Sequence, residues 1–215
     1  MNNGLTQAGT SLAMMGSCIK IKETTMKRNV LILKGSPREK GNSNTLADRA
    51  AAGAMDAGAQ AESIYLHGLD IRACDACDLC DAGQCVIEDD MQPLYPKLAA
   101  ADAILLASPV YWFTFSAQLK LCIDRWYGFQ GHKWQEVSRK PYGIILTYGD
   151  SDLYTSGAIN AIYTFETMCR FLDSRIAAIV HGSLSEVGDA EKNPELMQKA
   201  YDLGQLLATA KPDEK

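Results

Sequence analysis

Asn29-Val30-Leu31-Ile32-Leu33-Lys34-Gly35-Ser36-Pro37-Arg38-Glu39-Lys40-Gly41-Asn42-Ser43-Asn44-Thr45 is the stretch that decides the fold. Its first half is a short apolar run that stops at Gly35-Ser36-Pro37. A strand buried on both faces reads this way. Beyond the loop, Thr45 to Ala57 is alanine-rich, with Leu46, Ala50 and Ala54 at helical spacing and Gly58 closing it. The first unit is thus strand, loop, helix.

Outward from it the same unit recurs. Ala61–Leu66 reads as a second strand, and Ala103–Pro109 as a third buried one ended by its proline. Gly143–Leu146, within Pro141–Thr147, reads as the fourth and Ile176–Val180 as the fifth. Helices are predicted over 91–100, 116–127, 157–172 and 194–210. Five alternations argue for a parallel sheet covered on both faces. Ligands then bind beyond the carboxyl ends of the strands, where strand order reverses. The loops after strands one, three and four are the ones to search.

The first loop offers hydroxyls at Ser36, Ser43 and Thr45, amides at Asn42 and Asn44, and cations at Arg38 and Lys40. It opens a helix whose free N–H groups and dipole favour an anion. It is neither a Walker loop nor a dinucleotide fingerprint. A monophosphate suits it. A plain helix cap at Asn42 or Ser43 would need only one such residue. After strand three, Ser108-Pro109-Val110-Tyr111-Trp112-Phe113 brings three aromatics in succession. Such a loop suits a flat, largely apolar ring, and also a core or subunit contact. After strand four, Tyr148-Gly149-Asp150 suits a third contact or an ordinary turn.

Cys74-x2-Cys77-x2-Cys80-x4-Cys85 is the sharpest motif. Three thiolates at three-residue steps and a fourth beyond can wrap a cubane. Structural zinc prefers two separated Cys-x2-Cys hairpins. A thiol–disulfide relay would sit badly among Asp70, Asp75, Asp78, Asp81, Glu88, Asp89 and Asp90, whose charge opposes thiolate formation. A cysteine loop that holds nothing also remains open. His67, His132 and His181 lack ligand spacing, and Asp124-Arg125 reads as a surface ion pair or interface contact.

Gly35-Ser36-Pro37-Arg38, Gly41-Asn42-Ser43, the cysteine run with Cys85-Val86-Ile87-Glu88-Asp89-Asp90-Met91, Ser108–Trp112, Ser116–Lys120 and Ile123-Asp124-Arg125 follow in order. Together they resemble the superfamily of NADPH-dependent FMN reductases and iron–sulfur flavoproteins, by motif over about 29–127 and by pattern over 141–210. The resemblance implies a flavodoxin-like, doubly wound α/β fold with five parallel strands in the order 2-1-3-4-5 and an inserted cysteine loop. It implies FMN, its phosphate on Ser36, Arg38, Asn42, Ser43 and Thr45 and its ring on the backbone of Val110–Trp112. It implies a [4Fe–4S] cluster on Cys74, Cys77, Cys80 and Cys85. The donor would be NAD(P)H or a ferredoxin-like protein, and the acceptor a quinone, flavin, metal ion, oxygen or protein. Relatives further suggest homodimers or homotetramers. A non-catalytic electron carrier would use the same loops.

Composition agrees with one cored domain. The 215 residues are 47% hydrophobic and 22% charged, with net charge −5, which disfavours a disordered or nucleic-acid-coating protein and gives no pull toward a membrane surface. Four of the seven cysteines fall within twelve residues, a local pattern that suits a reducing, cytoplasmic setting rather than a disulfide scaffold. Residues 1–26 read as a flexible extension and 27–212 as the domain, with 70–90 an inserted cysteine-rich loop.

Overall fold

The computed structural model describes residues 27–82 and 85–211. The extension assigned to 1–26 lies outside the described residues. Strands β1 (Asn29–Lys34), β2 (Gln60–Tyr65), β3 (Ala103–Tyr111), β5 (Pro141–Tyr148) and β6 (Arg175–Ser183) form a parallel sheet in the order β2-β1-β3-β5-β6. The two-residue β4 (Thr114–Phe115) pairs antiparallel with the end of β3. With β4 left out of the count, the order is 2-1-3-4-5. The chain has the flavodoxin-like, doubly wound fold.

Side-chain alternation divides the core. Val30, Ile32, Leu105 and Ile145 face α1 (Asn42–Asp56) and α5 (Pro194–Thr209). Leu31, Leu33, Ile104, Leu106, Ile144 and Leu146 face α2 (Leu94–Ala100), α3 (Ala117–Asp124) and α4 (Ala158–Phe171). Successive strand residues point to opposite faces, so strands buried twice show continuous apolar runs. α1 and α5 cross very closely: a Cβ on Gly204 would lie 1.8 Å from Ala50 O, and one on Gly53 would lie 2.1 Å from Tyr201 O.

Several element ends depart from the sequence reading. β3 continues through Pro109 to Tyr111 instead of ending at the proline. β1 stops opposite Ala107, so Pro109 pairs with Thr147 of β5 after its other neighbour has ended. A missing N–H is tolerated at such an edge. α2 begins at Leu94, not Met91, because Met91–Pro93 form a turn. α3 ends at Asp124, and Arg125–Phe129 continue as a 3-10 helix. Lys140 adds to the backbone cap at the end of α2, its Nζ donating to Leu98 O and Ala99 O at 2.7 Å each. No described helix is long and apolar enough to cross a membrane.

Candidate functional site

β1 and β3 are neighbours whose chain continuations run to opposite sides of the sheet, which makes their carboxyl ends the switch point. A cleft of about 210 Å³ opens there. It is lined by Ser36, Arg38, Asn42 and Ser43 from the loop after β1, and by Pro109, Val110 and Tyr111 from β3. Thr147, Tyr148 and Gly149 come from β5. Leu184, Ser185 and Val187 come from the loop after β6, which the sequence reading did not include. Topology alone brings it there, since that loop leaves a strand adjacent to β5 at the same end of the sheet.

The loop after β1 is tightly held. Gly41 is the N-cap of α1, without a side-chain cap, so the alternative of a plain cap at Asn42 or Ser43 does not hold. Asn42 instead crosslinks two loops: Nδ2 donates to Glu186 O at 2.8 Å, and Oδ1 accepts from Ala190 N at 3.2 Å. Asn44 is fully buried beneath the loop, its Nδ2 donating to Arg38 O at 3.1 Å and Glu39 O at 3.2 Å. Ser36 Oγ accepts from Arg38 N at 3.1 Å. Ser43 differs from these. It is 1% exposed and its Oγ has no partner within the chain. A buried hydroxyl without a partner is costly unless a ligand completes it. With Arg38 beside it and the first N–H groups of α1 above, this end of the cleft fits a phosphate.

The other end, lined by Pro109, Val110, Tyr111 and Tyr148, offers apolar and aromatic side chains to a ring. Ser108 lies under it, fully buried, donating to Pro109 O at 2.8 Å and accepting from Ser116 N at 2.9 Å. Ser116 Oγ donates to Gly35 O at 2.6 Å, tying the ring end to the phosphate end. Tyr148 is buried and its hydroxyl lies 3.0 Å from His181 Nδ1, with the rings stacked. Burial chiefly, with Lys199 adding, pushes the His181 pKa below its ordinary value. The reading of His181 as an ordinary polar residue is therefore refined: it positions a cleft tyrosine.

Five predicted residues lie off the cleft lining. Asn44 and Ser108 are beneath it, as above. Thr45 faces a neighbouring groove with Lys40 and Asp48. Asp150 is exposed on the following turn. Trp112 is 91% exposed at the tip of the β3–β4 hairpin. Trp112 and Phe113 have φ of 46° and 67°, the double positive φ of a tight hairpin turn that usually carries Asn-Gly. Gly157, at φ 73°, packs on Phe113, and Asn160 Nδ2 donates to Phe113 O at 3.2 Å. The hairpin is thus propped by the start of α4.

The cysteine loop sits apart from the cleft lining. Cys80 and Cys85 are buried with Ile87 against Tyr95, while Cys74 and Cys77 are exposed. Burial first, then the neighbouring Cys85, pushes the Cys80 thiol up to about 11, with Cys77 and Cys74 adding. The four sulfurs therefore share one electrostatic neighbourhood. Among the described residues no three Cys, His, Asp or Glu side chains converge tightly enough for a single metal ion. Four thiols are a donor set that iron–sulfur clusters use. Ala76 and Asp78, flanking Cys77, adopt φ of 53° and 55°. Strain in non-glycine residues concentrates at ligand-holding loops.

Arg125 and Asp89 close this loop at its neck. Their side chains are 0% and 1% exposed, which corrects the reading of Asp124-Arg125 as a surface ion pair. Asp124 pairs instead with Lys120 on the surface. Burial pushes the Asp89 carboxyl up, but hydrogen bonds from Arg125, Arg72 N and Met91 N together hold it below the usual carboxylate value. Within residues 128–140, Phe129, Lys133 and Glu136 line a groove with Gln92 and Tyr95.

Residues 28–173 match the family NADPH-dependent FMN reductase. The chain belongs to this family. It is 37% identical over 94 residues to an iron–sulfur flavoprotein of Methanosarcina thermophila, covering 43% of this chain and 49% of that protein. It is 27% identical over 180 residues to a putative NAD(P)H-dependent FMN-containing oxidoreductase of Bacillus subtilis, covering 81% and 95%. The chain spans about half the length of the iron–sulfur flavoproteins it matches. Among solved structures, the Trp repressor binding protein of Bacillus subtilis superposes with a TM-score of 0.63 at 26% identity, covering 82% and 99%. An NAD(P)H:quinone oxidoreductase from Methanothermobacter marburgensis shares the fold, with a TM-score of 0.66 at 19% identity over 87% and 100%.

Proposed function

We propose that this chain is an FMN-dependent oxidoreductase that takes electrons from NAD(P)H and passes them to a small acceptor such as a quinone or flavin. The observation that carries the reading is the switch-point cleft, with unpartnered Ser43 Oγ at one end and Pro109, Val110 and Tyr148 at the other. FMN, when bound, would accept a hydride equivalent and release electrons singly or in pairs. The chain's own task is then to bind and orient. Ser43, Arg38 and the α1 N-terminus bind phosphate, Pro109 and Val110 supply apolar contact, and His181 holds the Tyr148 ring in place. Exposed Tyr111 borders the open side, where donor and acceptor would enter in turn. Mass spectrometry of released flavin, then steady-state oxidation of NADH and NADPH with a quinone, tests this. Flavin-loaded protein without turnover would instead favour an electron carrier.

The proposal includes a [4Fe–4S] cluster on Cys74, Cys77, Cys80 and Cys85, supported by their shared neighbourhood and by the iron–sulfur flavoproteins that match this chain. A cluster would supply a one-electron route to a ferredoxin-like partner. Iron and acid-labile sulfide on anaerobically purified protein decide it. Self-association belongs to the same reading. Trp112, Phe113 and Tyr154 expose rings beside the cleft, a surface of the kind a second copy covers. Light scattering should give a dimer or tetramer mass, and a monomer mass would remove this part.

A further inference from the structure

Arg125 does more than pair with Asp89. It stands one residue beyond the end of α3, whose N-cap Ser116 is bonded to the phosphate loop. Its Nη1 donates to Arg72 O at 2.9 Å and to Asp89 Oδ2. Its Nη2 donates to Asp89 Oδ1 at 3.2 Å, to Ile87 O at 3.3 Å and to Cys85 Sγ at 3.4 Å. Arg72 lies where the cysteine loop begins, and Ile87 and Asp89 where it ends. One buried guanidinium therefore joins both sides of the neck and touches a sulfur.

Stapling the neck needs only the oxygen acceptors. The bond to Cys85 Sγ adds something a staple does not require. Cys85 is also firmly placed. It is buried, and its carbonyl accepts from Gln92 Nε2 at 2.8 Å. Hydrogen bonds to ligand sulfurs and solvent exclusion are among the factors that set iron–sulfur potentials. A donated N–H stabilises the extra negative charge of the reduced state and raises the potential. The surrounding loop is rich in Asp and Glu, which pull the other way.

We propose that Arg125 is a positioning residue that sets the reduction potential of an iron–sulfur group on Cys74, Cys77, Cys80 and Cys85, through its Nη2–H bond to Cys85 Sγ, with Asp89 aiming the guanidinium. This rests on the cluster reading above. Two variants move the potential in opposite directions. In Arg125→Lys a point charge keeps Asp89 paired but cannot span the neck and the sulfur together, so the sulfur loses its donor. In Asp89→Asn the amide oxygen still accepts from the guanidinium and keeps it on the sulfur, but the compensating charge is gone.

The test uses full-length protein, anaerobically loaded, with iron, sulfide and flavin counted before an EPR-monitored titration against dithionite. Arg125→Lys should retain iron and sulfide and lower the cluster midpoint by about 59 mV, a tenfold change for one electron. Asp89→Asn should raise it. Unchanged midpoints, shifts of the same sign, or loss of iron from both variants with flavin retained would each overturn the proposal and leave Arg125 a staple. Wild-type protein without iron or sulfide is a different result: it removes the cluster reading, and this proposal with it.

Discussion

At the scale of single residues, polar satisfaction separates ligand contacts from scaffolding. Asn44 Oδ1 is buried without a partner, but it is an acceptor, which phosphate does not need. Asn42, Ser108 and the Asn44 Nδ2 group carry the right chemistry but spend it on the protein itself. Ser43 does not. Ser43→Ala should therefore weaken FMN binding by about tenfold, the worth of one hydrogen bond, while Tm of the flavin-free protein holds or rises. Fluorescence titration and a melting curve read the two effects. A fall in Tm with affinity unchanged would place Ser43 among the scaffold residues. Sequence shows which side chains can donate, but not which have already done so. Arg125 was misread for the same reason, since its partner lies 36 residues away in another loop. The Asp89 carboxyl has a folded pKa below its ordinary 3.8. Stability from this pair is then fully present above about pH 4 and is lost as pH falls through the folded pKa. Asp89→Asn should lower stability at pH 7 and flatten acid unfolding in that window, measured by urea midpoints across pH.

At the scale of elements, the strands were legible because burial on both faces leaves continuous apolar runs, as in Val30–Leu33 and Ile104–Ala107. Their ends were less legible. Pro109 reads as a terminator until the register shows that its β1 neighbour has already stopped. The β3–β4 hairpin was not visible at all, because its turn carries Trp112-Phe113 in place of the glycine-bearing pair such turns favour. That turn survives because Gly157 leaves room for Phe113; a Cβ there would sit 2.4 Å from Phe113 Cβ. Gly157→Ala combines a positive φ with that clash and should cost about 1–3 kcal/mol, lowering Tm by several degrees. It should also weaken flavin binding, since Tyr111 at the hairpin base lines the cleft. An unaltered Tm would show that the hairpin moves aside freely.

At the scale of the whole molecule, the cleft depends on parts the family match does not include. The match ends at residue 173, yet β6, its following loop and α5 lie beyond it. α5 seats α1 through the glycine crossing at Gly53 and Gly204, and α1 carries the phosphate loop. Gly204→Ala would drive a methyl into the backbone of α1 and should cost about 1–3 kcal/mol or more. The loss should appear both in Tm and in FMN affinity, whereas a surface alanine such as Gln198→Ala should change neither. A shift in Tm alone would mean that the phosphate loop is held independently of α5. The layered architecture was legible from the alternation of strands and helices. The fourth loop of the cleft was not, because nothing in Leu184–Val187 is chemically distinctive until the topology brings it beside Tyr148.

The neck of the cysteine loop has a consequence for how such a chain can change. Asp70 and Asp90 are joined there by Asp90 N donating to Asp70 O at 3.2 Å and Asp70 N to Asp90 Oδ2 at 2.7 Å. The chain thus leaves the domain and returns at nearly the same point. Whatever lies between is an interchangeable cartridge. Lengthening it costs only closure entropy, roughly 0.6 kcal/mol for each doubling. A shorter, cysteine-free segment between Arg72 and Ile87 could be exchanged in without moving the cleft, so a cysteine loop of this kind can be gained or lost while the cleft stays as it is.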